Sequence, residues 1–323
     1  MSRAARRMLV GCMAALLVMM FAGVAGAQEQ GAPAQTEITL GASPEYRDLA
    51  LQIDQLLKQR KFDEARAICQ QRYDAATDDE TRAMFLRGIG EVYKVQRSPQ
   101  CIDIFQQVLD KYPNSQQVSW TTLALAEAYV WKAMMMGGTQ DSLATGLAIL
   151  ERFLKNYPDH ENATRALWGR GMVFERQGND AAALADYQKA VDLHPTQKKA
   201  ELCLERVIAL QQKVGRWDDA IASATRYLQL YAKGAAAAQL SIGFSYAGKG
   251  DLAKAMVEFD RVLSQHPDSR DQCAMALHQK ASCLKSLGQP AAARAALEQL
   301  VRDYPDSYLA IRAKGELESD QSQ

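Results

Sequence analysis

The hydrophobic residues of this chain recur every three or four positions in short stretches, and each stretch ends near a proline. Ala183, Tyr187 and Ala190 form one such set, and Pro195 follows them. Residues at this spacing lie on one face of an α-helix, whereas a strand requires strict alternation. Proline ends a helix because it lacks an amide hydrogen and its ring clashes with the preceding turn. The pattern therefore predicts a series of short amphipathic helices.

The same arrangement recurs along the chain. Proline closes a helical segment at five places, namely Pro113, Pro158, Pro195, Pro267 and Pro305. Three stretches share six further positions at constant offsets: Gly171, Phe174, Gly178, Ala183, Tyr187 and Ala190; Gly243, Tyr246, Gly250, Ala255, Phe259 and Val262; Ala281, Leu284, Gly288, Ala293, Leu297 and Leu300. Each repeat is predicted to consist of a helix A, a turn in which glycine takes a positive φ, and a helix B.

A small residue followed by an aromatic, then alanine, a second aromatic and proline, resembles the tetratricopeptide repeat (TPR). We place seven repeats at residues 46–79, 82–115, 119–160, 164–197, 201–234, 236–269 and 274–307. The resemblance implies an all-α fold, a right-handed α-solenoid of about seven helix-turn-helix repeats over residues 44–318. A helix over residues 307–318 is expected to cap its C-terminal end, and residues 319–323 form a tail.

Three repeats depart from the pattern, and the first of the seven matches it only in part. The third is eight residues too long, with an insertion between Met134 and Leu143. This insertion is either a loop on a functional edge or a longer helix pair without a role. The fifth repeat has Ala232 where proline is expected.

The N-terminus has the pattern of an export signal. Arg3, Arg6 and Arg7 precede an apolar run, which ends at the small-x-small sequence Ala25-Gly26-Ala27 that signal peptidase accepts. We predict a signal peptide over residues 1–27, a flexible leader over residues 28–43 and a periplasmic protein. The alternative is an uncleaved helix that anchors the protein in the inner membrane, because the run is about long enough to cross a bilayer. Export and the Tyr-Pro-Asp-Ser boundaries are similar to those of TPR proteins of outer-membrane assembly.

Charge narrows the class of partner. The 323 residues include 38 basic and 38 acidic ones, and without the three N-terminal arginines 35 basic and 38 acidic residues remain, a net charge of −3. Nucleic-acid binding requires concentrated Lys and Arg. We therefore predict a protein or peptide partner, no nucleic acid, and membrane contact only if the signal is uncleaved.

No motif for catalysis is complete. The stretch from Gly243 to Gly250 resembles a phosphate-binding loop but has glycine where Ser or Thr must ligate Mg²⁺, and Thr164 replaces the second histidine of a zinc-protease motif that His160 would begin. Apart from Cys12 in the signal, five cysteines remain, an odd number that prevents full disulfide pairing. We predict no enzymatic activity, no cofactor and no metal site.

The family resemblance implies that the A helices line a concave face on which a peptide lies. By position in helix A, the candidate partner-binding residues are Trp120, Leu123, Glu127, Arg165, Trp168, Met172, Glu175, Leu240 and Phe244. The second repeat is expected to turn Leu86 and Gly90 toward the same face. Aromatic and methionine anchors are typical of peptide-binding patches. Trp120 and Trp168 are alternatively core residues, if the register is one position off.

These observations predict a non-catalytic periplasmic scaffold or adaptor for protein–protein interaction, which binds a polypeptide in envelope assembly or secretion. The alternative is a membrane-tethered structural subunit of an envelope complex that retains its N-terminal segment as an anchor.

Overall fold

The computed structural model describes residues 44–135 and 140–319, within which there are fifteen α-helices and no β-strand. The helices are α1 Pro44–Lys58, α2 Phe62–Ala75, α3 Asp79–Val95, α4 Gln100–Lys111, α5 Val118–Met135, α6 Gln140–Asn156, α7 Ala163–Arg176, α8 Asp180–Leu193, α9 Lys198–Lys213, α10 Trp217–Leu230, α11 Ala235–Lys249, α12 Leu252–Gln265, α13 Arg270–Ser286, α14 Pro290–Asp303 and α15 Tyr308–Ser319. The predicted all-α class is confirmed. The predicted signal peptide and leader lie outside the described residues, as does part of the predicted insertion.

The helices belong to two compact units. The N-terminal unit contains α1 to α8 and ends at His194, and the C-terminal unit begins at Pro195 and contains α9 to α15. Within each unit, consecutive helices pack against one another. Odd-numbered helices correspond to helix A of a repeat and even-numbered helices to helix B. An A helix also contacts the next A helix of its unit, as α3 does with α5 and α5 with α7.

Helices A and B approach closely where a glycine on one meets an aromatic ring on the other. A Cβ placed on Gly90 would lie 2.5 Å from the ring of Phe105, and one on Gly243 would lie 2.5 Å from the ring of Phe259. Gly171 meets the ring of Tyr187 in the same way. A methyl group at these positions would overlap the ring. The predicted small and bulky positions are therefore matched in volume across these three hairpins.

The fifth repeat has its small and bulky residues at different positions. Ile208 stands in α9 at the position that Gly171 has in α7. Ala224 and Tyr227 in α10 replace Tyr187 and Ala190 of α8, so the tyrosine lies one helical turn later. Ile208, Ala224 and Tyr227 are all buried. The bulky aromatic of this repeat is consequently directed toward the start of the next helix.

Each turn between helices A and B within the described residues has a residue with positive φ. Gly178 has a φ of 76° and Gly250 a φ of 92°, as the glycine pattern predicts. In the first two hairpins, Arg60 and Arg97 take this conformation instead. Asn179 and Asp251 then accept hydrogen bonds from backbone amides in the first turn of α8 and α12.

Helix α15 forms the predicted cap of the C-terminal unit. It buries Leu309, Ala310 and Ala313 in a core cluster with residues of α11 to α14. Its outer side is less polar than a cap requires, because Tyr308 and Ile311 are 69% and 65% exposed.

Candidate partner-binding site

In the N-terminal unit, charged side chains reach directly from one A helix to the next. The Nζ of Lys94 on α3 lies 3.2 Å from a carboxylate oxygen of Glu127 on α5. Arg165 on α7 donates two hydrogen bonds to the two oxygens of the same carboxylate. Glu127 thus connects three helices. We call the surface along these contacts the A-helix face; it comprises Lys94, Trp120, Glu127, Arg165, Trp168, Met172 and Glu175.

A chain of ion pairs and hydrogen bonds continues toward the start of α3, where Arg87 pairs with Glu91 at 4.0 Å. Lys94 also pairs with Glu91 at 2.7 Å. Arg87 donates from Nε to the Gln117 side-chain oxygen at 3.0 Å, and Gln117 donates in turn to Glu80 at 2.9 Å. With Glu127 and Arg165, the chain contains three carboxylates and three cationic side chains. Its charges balance, so they fix one another and add no net charge to the face.

Burial and neighbouring charges shift the pKa values of the side chains in this chain of contacts in opposite directions. Burial raises the pKa of Glu91, but Lys94, Arg165 and Arg87 outweigh it and hold the pKa below its usual value. Burial lowers the pKa of Arg165, and Glu127 outweighs it and raises the pKa. Burial also lowers the pKa of Arg87, against the effect of Glu91. Glu91 and Arg165 are therefore ionised at neutral pH. Glu91 forms a charge-assisted hydrogen bond with Lys94, and Arg165 forms two with Glu127.

Two tryptophans lie on either side of the Glu127–Arg165 pair in the helix sequence. Trp120 is half-buried on α5, about two turns before Glu127, with its ring 5.9 Å from the ring of His160. Trp168 is half-buried on α7, where its ring lies 5.4 Å from that of Tyr187. Each tryptophan packs on the protein with one part of its ring system and leaves another part accessible.

Met172 and Glu175 continue the stripe of α7 at helical spacing from Trp168, and both are half-buried. The carboxylate of Glu175 accepts a 2.8 Å hydrogen bond from the hydroxyl of Tyr187. Six of the nine predicted residues, Trp120, Glu127, Arg165, Trp168, Met172 and Glu175, thus lie on the A-helix face with part of their surface accessible.

The other three predicted residues are core residues, which corrects the expectation that they line an open face. Leu123 is 1% exposed and belongs to the cluster around Phe105 and Phe153. Leu240 and Phe244 are buried in the C-terminal unit, where Phe244 packs edge-on against Phe259 at 5.7 Å. The physical reason is enclosure: α11 contacts α9, α10, α12 and α13, so nearly every position from its first to its third turn is covered.

The sequence interpretation missed Lys94 on the A-helix face, and it missed the buried charged residues Arg87 and Glu91 on the same helix α3. It assigned Leu86 and Gly90 to the face, but Leu86 is buried and Gly90 meets Phe105. One residue corresponds to about 100° of rotation on a helix, so a register error of one position changes which side chains face outward. The spacing of Arg87, Glu91 and Lys94 by four and three residues was the signal that could have found them.

The A helices of the C-terminal unit meet through different groups. The side-chain amide of Gln212 on α9 donates to the Ser241 carbonyl oxygen at 2.9 Å and to the Ser245 hydroxyl at 2.8 Å, both on α11. These groups are uncharged and buried. At the other end of this unit, Lys285 on α13 pairs with Glu316 on α15 at 3.0 Å.

Other chemistry has little support among the described residues. No group of three or more His, Cys, Asp or Glu side chains in residues 44–135 and 140–319 is placed to hold a metal ion. The five cysteines of this part are buried thiols, and burial raises the pKa of Cys69 to about 12 and that of Cys101 to about 11. Of the helices in these residues, none combines the length and the apolar character needed to span a membrane.

Comparison with known proteins identifies a partial sequence relative and similar solved structures. The chain is 32% identical over 107 residues to the outer membrane protein assembly factor BamD of Vibrio cholerae; the match covers 28% of this chain and 44% of that protein. The chain thus spans less than half the length of this relative. The C-terminal part of a TPR repeat-containing protein from Cytophaga hutchinsonii has a TM-score of 0.61 at 15% identity, over 81% of this chain and 97% of that one.

A tetratricopeptide repeat protein from Parabacteroides merdae has a TM-score of 0.46 at 14% identity, over 85% of this chain and 98% of that one. Models of the tetratricopeptide repeat match residues 84–115, 140–198, 210–270 and 246–315, which together are more than half of the chain. Proteins built from these repeats are in general scaffolds for protein–protein interaction. On its sequence and on its helical hairpins, the chain belongs to the tetratricopeptide repeat family.

Proposed function

We propose that the protein is an exported, non-catalytic scaffold that holds a polypeptide partner on the A-helix face of its N-terminal unit. Trp120, Trp168 and Met172 are the apolar anchors, and Glu127 and Arg165 orient polar groups of the partner between them. The proposal rests mainly on one observation: the half-buried anchors stand beside charged side chains that are already fixed across α3, α5 and α7.

Two physical arguments support this reading. Side chains that are fixed before binding lose little conformational entropy when a partner arrives, so more of the contact energy contributes to affinity. Aromatic side chains account for much of the binding energy at protein interfaces, and methionine adapts to varied shapes. Since the six charges of the chain balance, the surface favours a partner with apolar anchors over one of high net charge.

The cellular setting is proposed on different grounds. The basic and apolar N-terminal segment favours export, and a partial relative is named as a factor of outer-membrane protein assembly. We therefore assign the scaffold to the periplasm and to envelope assembly or secretion.

Crosslinking from inside the face tests the proposal. A photoreactive amino acid at Met172, in the full chain expressed in its native cell, should form a crosslink to a distinct polypeptide. The same group at Gln188, an exposed position on helix B α8, should not form it. Crosslinks of equal yield at both positions, or at Gln188 alone, would contradict binding on the A-helix face.

A substitution tests the anchor itself. Met172→Glu should abolish capture of that polypeptide and change the melting temperature little, because the side chain is only half-buried. Val257→Glu provides the control, since Val257 is 51% exposed on helix B α12. Capture that survives Met172→Glu would remove Met172 from the site.

The apolar run from Met8 to Val24 supports a second candidate, a membrane-tethered subunit of an envelope complex. N-terminal sequencing of the exported protein distinguishes the two. A mature chain that begins at Gln28 supports the exported scaffold, and a chain that retains residues 1–27 supports the tethered subunit.

A further inference from the structure

A buried tyrosine of the C-terminal unit has more hydrogen-bond acceptors than it has hydrogens. The hydroxyl of Tyr227 on α10 lies 2.8 Å from a carboxylate oxygen of Glu201, 3.1 Å from one of Glu205 and 3.0 Å from the Lys233 carbonyl oxygen. A phenol carries one hydrogen and can also accept through its own oxygen. The cluster is satisfied only if one of the neighbouring groups supplies a second proton.

Glu205 is the group that can supply it. Glu201 and Glu205 lie one turn apart on α9, and two negative charges at this spacing repel each other. Burial is the main factor that raises the pKa of Glu205 to about 7; Glu201 raises it further, while Tyr227 and Arg206 lower it. A protonated Glu205 donates to the phenol oxygen, which leaves the single phenol hydrogen to be shared between Glu201 and the Lys233 carbonyl oxygen. An ionised Glu205 would instead point an unprotonated oxygen at the phenol oxygen.

The cluster also determines the path of the connection between α10 and α11. Gly234 has a φ of 85°, and a Cβ on it would lie 2.5 Å from the Tyr227 hydroxyl. Five of the other repeats close helix B with proline, but this one has Ala232. The position of Tyr227, one turn later than the tyrosine of the preceding repeat, brings its hydroxyl to this connection. The hydrogen bond to Lys233 therefore fixes a boundary that lacks the usual proline.

We propose that a proton on Glu205 closes this cluster, and that its loss at neutral to alkaline pH frees residues 232–234 and the first turn of α11. The titratable and charged groups around it, besides Glu201 and Tyr227, are Cys203 and Arg206 from α9, Arg226 from α10, and Tyr231 and Lys233 from the connection. The first turn of α11, Ala235 to Ala238, contributes no titratable or charged side chain.

The sign of the pH dependence follows from the two protonation states. A freed Glu205 has its ordinary pKa of 4.5, whereas in the closed cluster its pKa is about 7. The closed state therefore holds the proton over a range in which the open state has lost it. The stability of the closed state falls as the pH rises from 4.5 to 7 and stays low above that range; below pH 4.5 both states are protonated and no loss occurs.

Hydrogen exchange on the full chain measures this opening. The amides of Ala237 and Ala238 donate to the Gly234 carbonyl oxygen at 3.0 and 3.1 Å, so they report on the first turn of α11. After correction for intrinsic exchange, their protection should fall by roughly tenfold or more between pH 5 and pH 8. The amide of Cys273, which donates to Ser269 at the next repeat boundary, should show no such fall.

Matched variants assign the effect to Glu205. Glu205→Gln keeps the shape and provides an N–H donor at every pH, so the amides of α11 should stay protected at pH 8. Glu298→Gln removes an exposed carboxylate that pairs with Arg294 in the same unit, and it should retain the pH dependence of the wild type. Tyr227→Phe removes the shared hydroxyl and should lower protection at both pH values.

A direct titration keeps the proposal testable if a variant folds poorly. The side-chain carboxyl carbon of Glu205, followed by NMR in the wild type, should titrate with a midpoint near 7. A midpoint below 5 would overturn the proposal. So would α11 protection that does not change with pH in the wild type, or a pH dependence that persists in Glu205→Gln.

Discussion

At the scale of single residues, the close packing of the helix pairs depends on glycines, which have no side chain. Gly171 and Gly243 leave room for the rings of Tyr187 and Phe259, and both aromatic side chains are fully buried. A methyl group added at either glycine must displace a ring that the neighbouring helices hold in place. Interiors are close-packed, so this displacement costs free energy.

Gly171→Ala should therefore lower the free energy of unfolding by about 1–3 kcal/mol. Gly169→Ala is the control on the same helix, because its Cβ would lie 3.5 Å from the methyl groups of Leu150, an ordinary contact. That substitution should raise stability slightly, by about 0.5–1 kcal/mol, since alanine favours the helix. Thermal unfolding of the two variants checks both, and equal effects would mean that the Tyr187 ring yields freely.

The sequence is sufficient to predict whether some of the candidate residues lie on the A-helix face, but not others. Glu127, Arg165 and Trp168 could be placed on one face because α5 and α7 follow the repeat pattern. The buried position of Leu123 could not be predicted, because it depends on which neighbours enclose α5. Aromatic side chains such as Trp120 pack and bind with the same ring, so residue type alone does not separate the two roles.

At the scale of helices and turns, most of the fold could be predicted from local signals. Proline after helix B, and glycine between A and B, indicated hairpins that the structure contains. Arg60 and Arg97 escaped this reasoning, since positive φ is uncommon for residues other than glycine. The charged contacts between A helices also could not be predicted, because they depend on how α3, α5 and α7 are rotated about their axes.

The cap helix α15 permits a prediction at this scale. Truncation after Ser307 should lower the melting temperature and increase binding of a hydrophobic dye, because α15 covers the cluster that contains Leu300. The double variant Tyr308→Ser and Ile311→Ser should leave the melting temperature nearly unchanged, since both side chains are exposed. An unchanged melting temperature after truncation would show that α15 adds no stability.

At the scale of the whole molecule, each compact unit has cysteines in its core. Cys69 and Cys101 are buried in the N-terminal unit, and Cys273 and Cys283 share one cluster of the C-terminal unit. Burial raises the pKa of Cys283 to about 11. Thiols react as thiolates, so buried thiols with a raised pKa react slowly.

Alkylation at pH 8, read for each cysteine by mass spectrometry, should therefore be slow in the native protein and fast in strong denaturant. Across a urea series, Cys273 and Cys283 should become reactive at the same concentration, because they belong to one core cluster. Labelling of Cys283 at a clearly lower urea concentration than Cys273 would mean that this cluster unfolds in parts.

The fifth repeat has its bulky residue on helix A and its small residue on helix B, the reverse of its neighbours, and this affects how the chain could evolve or be engineered. Its neighbours combine a glycine on helix A with an aromatic on helix B, whereas here Ile208 accompanies Ala224 and Tyr227. Helix A of a neighbouring repeat, placed here alone, would bring a glycine opposite Ala224, and helix B alone would bring an aromatic ring opposite Ile208. A whole hairpin keeps its own matched pair, whereas recombination between the two helices of a hairpin requires a compensating substitution on the other helix.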